Sequence, residues 1–316
     1  MKESPLISVC IPAYKHIDFL KRLLDSLTVQ TFRDFEVVIT DDSPDDSVKN
    51  LSAQYLNILP VRYFRNPVAL GTPENWNEGI RQAKGEWIKL IHDDDWLANE
   101  HSLQQFADAI RDNPDARFFF CAFRNNWLES GRMEDIHINS FRYKQLLIQP
   151  AILFSSNVVG PPSVVLHPND KQFFYDNRVK WVVDIDFYIR YFKTTQPVHI
   201  PAILMNVGMG EHQVTQDCFR KREVEVPENF LLLSKVGIEV LKNMLVYDGW
   251  WRMMRNLEIT KEEEIRVAGY NGPIHPVIRS MIRWQKNLPR FVLNNGLASK
   301  TCMFLHFLLH RNQLRP

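Results

Sequence analysis

With 316 residues, 45% of them hydrophobic and 24% charged, the chain has the composition of a soluble globular protein with one large core, either alone or carrying an appendage. Its four cysteines, Cys10, Cys121, Cys218 and Cys302, lie far apart, which excludes a clustered metal or redox motif and reads as small hydrophobes in a reducing compartment. The net charge of +1 conceals a split: Ile265 to Pro316 holds eight Lys or Arg and no Asp or Glu, leaving 30 basic against 37 acidic residues before it, an acidic body and a basic, surface-binding tail.

In chain order, the apolar run Leu6 to Ile11, stopped by Pro12, predicts a buried strand. Asp18 is placed to cap a helix that carries Leu20, Leu23, Leu24 and Leu27 on one face. Phe35 to Thr40 predicts a second strand running into Asp41-Asp42, and Val61 to Arg65 a third. Thr72-Pro73-Glu74 has the form of an N-cap, a first-turn proline and a first-turn acid for a helix with Trp76, Ile80 and Ala83 inward, closed by Gly85. Glu86 to Ile91 predicts a fourth strand, ending in His92-Asp93-Asp94-Asp95. Further strands are expected at Arg117 to Phe123, Ser163 to Leu166 and Val198 to Asn206, a helix at Trp181 to Phe192, and mainly helix from Pro227.

Strands alternating with helices imply an α/β fold with a mainly parallel sheet. In such sheets the carboxyl ends of the strands share one crevice, which brings Pro12-Ala13-Tyr14, Asp41-Asp42 and the acidic run together. Consecutive carboxylates repel one another unless a cation or solvent intervenes. A hard divalent ion takes one or two carboxylates together with substrate phosphates, so the run suits a metal bridging a nucleotide diphosphate. An acidic turn or a helix start is the plainer reading of an isolated Asp triplet.

The motifs Ile7 to Tyr14, Gln30-Thr31-Phe32, Phe35 to Ser43, Asn77-Glu78-Gly79-Ile80 through Ala83 to Ile88, and Asp93-Asp94-Asp95 resemble glycosyltransferase family 2 in their order. The resemblance implies a GT-A fold, Rossmann-like, with a helical C-terminal extension, a nucleotide-diphosphate sugar donor with a UDP-sugar first in line, and Mn2+ or Mg2+. It implies that Pro12, Ala13 and Tyr14 border the nucleoside, that Asp42 accepts from the base, that Asp93 faces the ribose or sugar, and that Asp94 is the principal metal ligand. Asp95 and His212 are candidate further ligands. Where the family has an acid at the first position of its D-x-D motif, this chain has His92.

Transfer with inversion needs a base for the acceptor hydroxyl. Val183-Asp184 followed by Arg190 resembles the family's Glu-Asp-x-x-x-x-x-Arg pattern with Val183 in place of the glutamate, which makes Asp184 the expected catalytic base; Asp186, four residues from Arg190, reads as structural. The resemblance implies a glycan or lipid-linked glycan acceptor in cell-surface polysaccharide synthesis. The domain reading is a catalytic part over 1–226, its donor half 1–123 and acceptor half 124–226, followed by a helical region over 227–316 that is basic from 265.

In the tail, Val277, Met281, Trp284 and Leu288 share a helical face with Ile278 and Ile282, opposite Arg279, Arg283 and Lys286, and Leu297 to Leu309 adds a second apolar segment. Packing against the domain and peripheral contact with an anionic membrane are both open to such a helix. No nucleic-acid motif accompanies the charge. Prolines and Lys15 break any N-terminal signal sequence and no apolar run spans a bilayer, so a cytoplasmic location is expected. Two other classes compete: a nucleotidyltransferase, for which a glycine-rich, lysine-containing phosphate loop is missing near the first strand, and an inactive sugar-nucleotide-binding or scaffolding protein.

Overall fold

A computed structural model describes residues 4–210 and 218–314. Contacts divide the chain into two compact units: Met1–Asn139 with Val159–Asn177 and Arg190–Gln213, and Ser140–Val158 with Arg178–Ile189 and Val214–Pro316.

The first unit carries a nine-stranded sheet in the order β3-β2-β1-β4-β8-β6-β9-β5, with β7 paired to β6. Its strands are β1 (Ile7–Ala13), β2 (Phe35–Asp41), β3 (Val61–Arg65), β4 (Trp87–Leu90), β5 (Trp96–Leu97), β6 (Phe119–Trp127), β7 (Arg132–Ile136), β8 (Val165–Pro168) and β9 (Val198–Met209). Over β3-β2-β1-β4 every pairing is parallel, and β1 and β2 are apolar and buried along most of their length because both faces of that half are covered. Beyond β4 the sheet turns mixed: β8 is antiparallel to β4 and β6, β9 is parallel to β6, and β5 is antiparallel to β9.

Helix α1 (Ile17–Thr28) buries Leu20, Leu23, Leu24 and Leu27, as its spacing predicts. Asp18 sits inside the first turn instead of capping it; His16 takes the cap position without a side-chain bond, so Asp18 acts on the exposed amide dipoles through its charge. Helix α2 (Glu74–Gln82) begins one residue later than expected, with Pro73 at the cap position. Gly85 does more than end that segment. Its N–H donates to Ser8 Oγ at 2.7 Å, and a Cβ there would lie 2.6 Å from the Ser8 nitrogen, so only glycine lets the chain dock against β1.

The second unit is helical among its described residues, its core gathering Phe230, Tyr247, Trp250, Trp251 and Met281. The helix Arg222–Val236 starts before Pro227, which falls within its first turns. In the helix Pro276–Asn287, Val277, Ile278, Met281 and Ile282 are at most 1% exposed, so this apolar face is packed inside the unit and not presented to a membrane. His306, within the second apolar segment, is buried and satisfied: its Nδ1 lies 2.6 Å from the Tyr247 hydroxyl and its Nε2 3.0 Å from Ser280 Oγ. Cys10, Cys121 and Cys218 are buried and unbridged.

Candidate active site

The acidic run occupies the link between β4 and β5, held from three directions. From β1, the Tyr14 N–H donates to Asp93 Oδ2 at 3.2 Å. Toward β8, the His92 N–H donates to Ser163 Oγ at 3.0 Å. From β9, the Gly208 N–H donates to Asp95 Oδ1 at 3.0 Å, across 113 residues of sequence. A Cβ on Gly208 would lie 2.4 Å from the Asp94 carbonyl oxygen, so β9 approaches this loop as closely as a backbone without a side chain allows. Arg22 from α1 adds an Nη2 bond to the Asp94 carbonyl at 3.3 Å while its guanidinium lies over Trp96.

Desolvation and the charge of Asp94 push Asp93 up to about 8, with the Tyr14 N–H opposing them, and the same two causes raise Asp95 against bonds from Ser163 and Gly208. The crevice therefore resists holding all its carboxylates ionised, the state that a bound divalent cation restores. Burial lowers His92, leaving a neutral imidazole, the form that binds metals. His92 packs against Trp76, the ring centroids 4.7 Å apart and the planes tilted by 35°. Its Nε2 is buried with no hydrogen-bond partner, and its Nδ1 is 3.9 Å from Asp95 Oδ2. One ligand atom each from His92, Asp94 and Asp95 lies within 4.8 Å of the others, a donor set that fits a small cation.

Of the other expected donor residues, Pro12 and Ala13 end β1 and Tyr14 is exposed just beyond. Asp42 stands at the end of β2, its N–H bonded to the Ala13 carbonyl at 3.0 Å. Its carboxylate is already engaged: Oδ1 accepts from Asn66 Nδ2 at 2.8 Å and the Leu70 N–H at 2.9 Å, and Oδ2 from the Gly71 N–H at 2.8 Å. Asp41 is fully buried and takes the Ser43 N–H and the Tyr63 hydroxyl, a structural role.

Asp184 belongs to the second unit, in the first turn of the helix Val183–Tyr191. It is half-buried, accepts from Asn157 Nδ2 at 2.6 Å and from the Ile185 N–H at 2.8 Å, and burial pushes it up to about 6. Asp186 is fully buried and takes Lys235 Nζ at 2.5 Å. His212 lies outside the described residues.

Sequence reasoning missed Lys89. It is fully buried in β4, donates to the Ser163 carbonyl and, at 3.3 Å, to the Val165 carbonyl, and burial pulls it down to about 8. It ties β8 to the strand that presents the run and sets a cation near Asp95. The signal was there: a lone lysine in the otherwise apolar stretch Trp87 to Ile91.

This sheet, with a crevice at the ends of its parallel strands, has the GT-A fold. The chain is similar over 97% of its length, and 92% of the other, to S. aureus TarS 1-349 in complex with UDP-GlcNAc, at 13% identity and a TM-score of 0.61. It is similar over 98% of its length, and 88% of the other, to the mannosyltransferase PcManGT from Pyrobaculum calidifontis in complex with GDP-Man and Mn2+, at 12% identity and a TM-score of 0.57. The family described as Glycosyl transferase family 2 matches residues 8–160, the part of the chain that carries the acidic run. An uncharacterized glycosyltransferase of Haemophilus influenzae is 28% identical over 167 residues, a match spanning 51% of this chain and about half, 52%, of that relative.

Proposed function

We propose that this protein is an inverting glycosyltransferase that moves a sugar from a UDP-sugar to a hydroxyl of a glycan or lipid-linked glycan in cell-surface polysaccharide synthesis. The observation that carries this reading is the clustering of His92, Asp94 and Asp95 at the carboxyl ends of parallel strands, beside Asp93 and Tyr14. Asp94 is the principal ligand for Mn2+ or Mg2+, with Asp95 and His92 completing the protein's share and His212 a further candidate. The cation, when bound, offsets charge building on the leaving diphosphate. An imidazole among the ligands favours Mn2+, since Mg2+ strongly prefers oxygen.

Pro12, Ala13 and Tyr14 border the nucleoside, and Asp93 faces the ribose or sugar. Asp42 supports uridine in particular. A carboxylate offers about four acceptor positions, and three are filled by Asn66, Leu70 and Gly71. The one remaining suits a base edge with a single N–H, as in uracil, better than the adjacent donors of guanine. Asp184, ionised, takes the proton from the acceptor hydroxyl as its oxygen bonds to the anomeric carbon and the diphosphate departs with the bonding pair.

The test is a thermal-shift screen of nucleotide sugars with and without Mn2+. A UDP-sugar at 100 times its dissociation constant should add about 2.7 kcal/mol, and more with Mn2+ than without. Absence of stabilisation by every donor would overturn the reading in favour of a scaffold.

A further inference from the structure

The helix Gly296–His310 is apolar on two sides. Met303, His306 and Phe307, with Ser299, are buried within the second unit, where Trp251 Nε1 donates to Ser299 Oγ at 3.1 Å and Phe307 meets the Tyr247 ring edge-on at 5.1 Å. On the other side Leu297, Phe304, Leu305, Leu308 and Leu309 are between 41% and 79% exposed, and Phe291, just before the helix, is 76% exposed. Phe291 and Leu297 also line an open groove of about 500 Å3 with Val292, Ala298 and Cys302. A surface helix normally turns a polar side to water, and exposed apolar patches of this kind mark contact surfaces.

Charge decides what the surface meets. At 100° per residue, Lys300 and Arg311 border the exposed stripe, and both are exposed. No Asp or Glu occurs from Ile265 onward. A second copy of the chain would set these cations against their own twins, because a two-fold contact brings the same patch to both sides. An anionic surface with an apolar interior complements both features at once.

We propose that this face docks on an anionic lipid surface, with Phe291, Leu297, Phe304, Leu305, Leu308 and Leu309 entering the headgroup boundary and Lys300 and Arg311 meeting lipid phosphates. No described helix is long and apolar enough to cross a membrane, so the contact is peripheral. It stands on surface residues alone and is independent of the catalytic reading.

The test is co-sedimentation of the full chain with vesicles of phosphatidylcholine containing about one-third phosphatidylglycerol, and with phosphatidylcholine vesicles alone. Binding is expected only to the anionic vesicles, weakening as NaCl rises from about 0.1 M to about 0.5 M. Leu305→Glu/Leu309→Glu should reduce the partition coefficient by about tenfold. Lys300→Gln/Arg311→Gln should reduce it by about fivefold. All four positions are exposed, and circular dichroism checks that the variants fold; Phe304→Ser/Leu308→Ser is the substitute if the glutamates disturb the helix. Equal partition to both vesicle types, or binding that survives the folded apolar variant, overturns the proposal. So does a wild-type dimer, without vesicle binding, that the same variant converts to monomer, which would assign the face to a second copy.

Discussion

At the end of β4 three successive carboxylates crowd beside His92 and Asp95 is buried, whereas on the helix Gly296–His310 five large apolar side chains stand in water. The two regions depart from ordinary burial in opposite directions. Around the acidic run the fold spends many interactions to hold the departure: backbone N–H groups from Tyr14 and Gly208, the Ser163 hydroxyl and the buried Lys89 all converge on it. On the helix, one side is held by Tyr247, Trp251 and Ser280 through their contacts with Ser299, His306 and Phe307, and the other makes the exposed stripe. The lesson is that a strained site organised from within points to a small ligand, and an uncovered surface points to something large.

The contrast breaks first at Asp94. Asp94→Ala should lower transfer by about 10³-fold and abolish the extra stabilisation that Mn2+ gives with donor, read by initial rates and thermal shift. Full activity in that variant would remove the run from the chemistry.

Next in size is Asp184→Asn, for which a loss of about 10²-fold in kcat is expected with donor affinity unchanged. The wild-type rate should fall as pH drops through about 6, because the base must be ionised and burial has raised its pKa to that value. The stability effect has the opposite sense. A carboxyl raised from about 4 to about 6 loses stability for the fold as pH rises through that window, so Asp184→Asn should melt a few degrees higher than wild type at pH 8, on the order of 2 kcal/mol, with the gap closing near pH 4. Calorimetry at the two pH values checks it.

Gly208→Ala forces a Cβ against the Asp94 carbonyl and should cost about 2 kcal/mol in stability and about tenfold in Mn2+ affinity, followed by denaturation and metal titration. The smallest effect sharpens the other side. Leu305→Glu/Leu309→Glu should leave the melting temperature within about 1 °C while reducing binding of an apolar dye, since these side chains leave water only when a partner arrives.

Much of this was legible locally. Apolar runs marked β1, β2 and β4, the leucine spacing marked α1, and the order of motifs pointed to the strand ends where Tyr14, Asp42 and the acidic run lie. What escaped depends on partners distant in sequence. The three donors that fill Asp42 come from a loop with no periodicity, Lys89 finds its carbonyls more than 70 residues later, and β9 runs on through Val207, Gly208 and Met209, three residues past the expected end at Asn206. In the tail, the spacing over Val277 to Leu288 predicts an amphipathic helix, yet only packing shows that its apolar face is used up and that the helix Gly296–His310 carries the uncovered one.

The bond from Gly208 to Asp95 also has a meaning for biosynthesis. A nascent chain that has emerged only through β5 already contains every acid of the run but lacks the strand that shapes it. Contacts this remote in sequence form late, so the run takes its final shape only after β9 has left the ribosome and paired with β6 and β5.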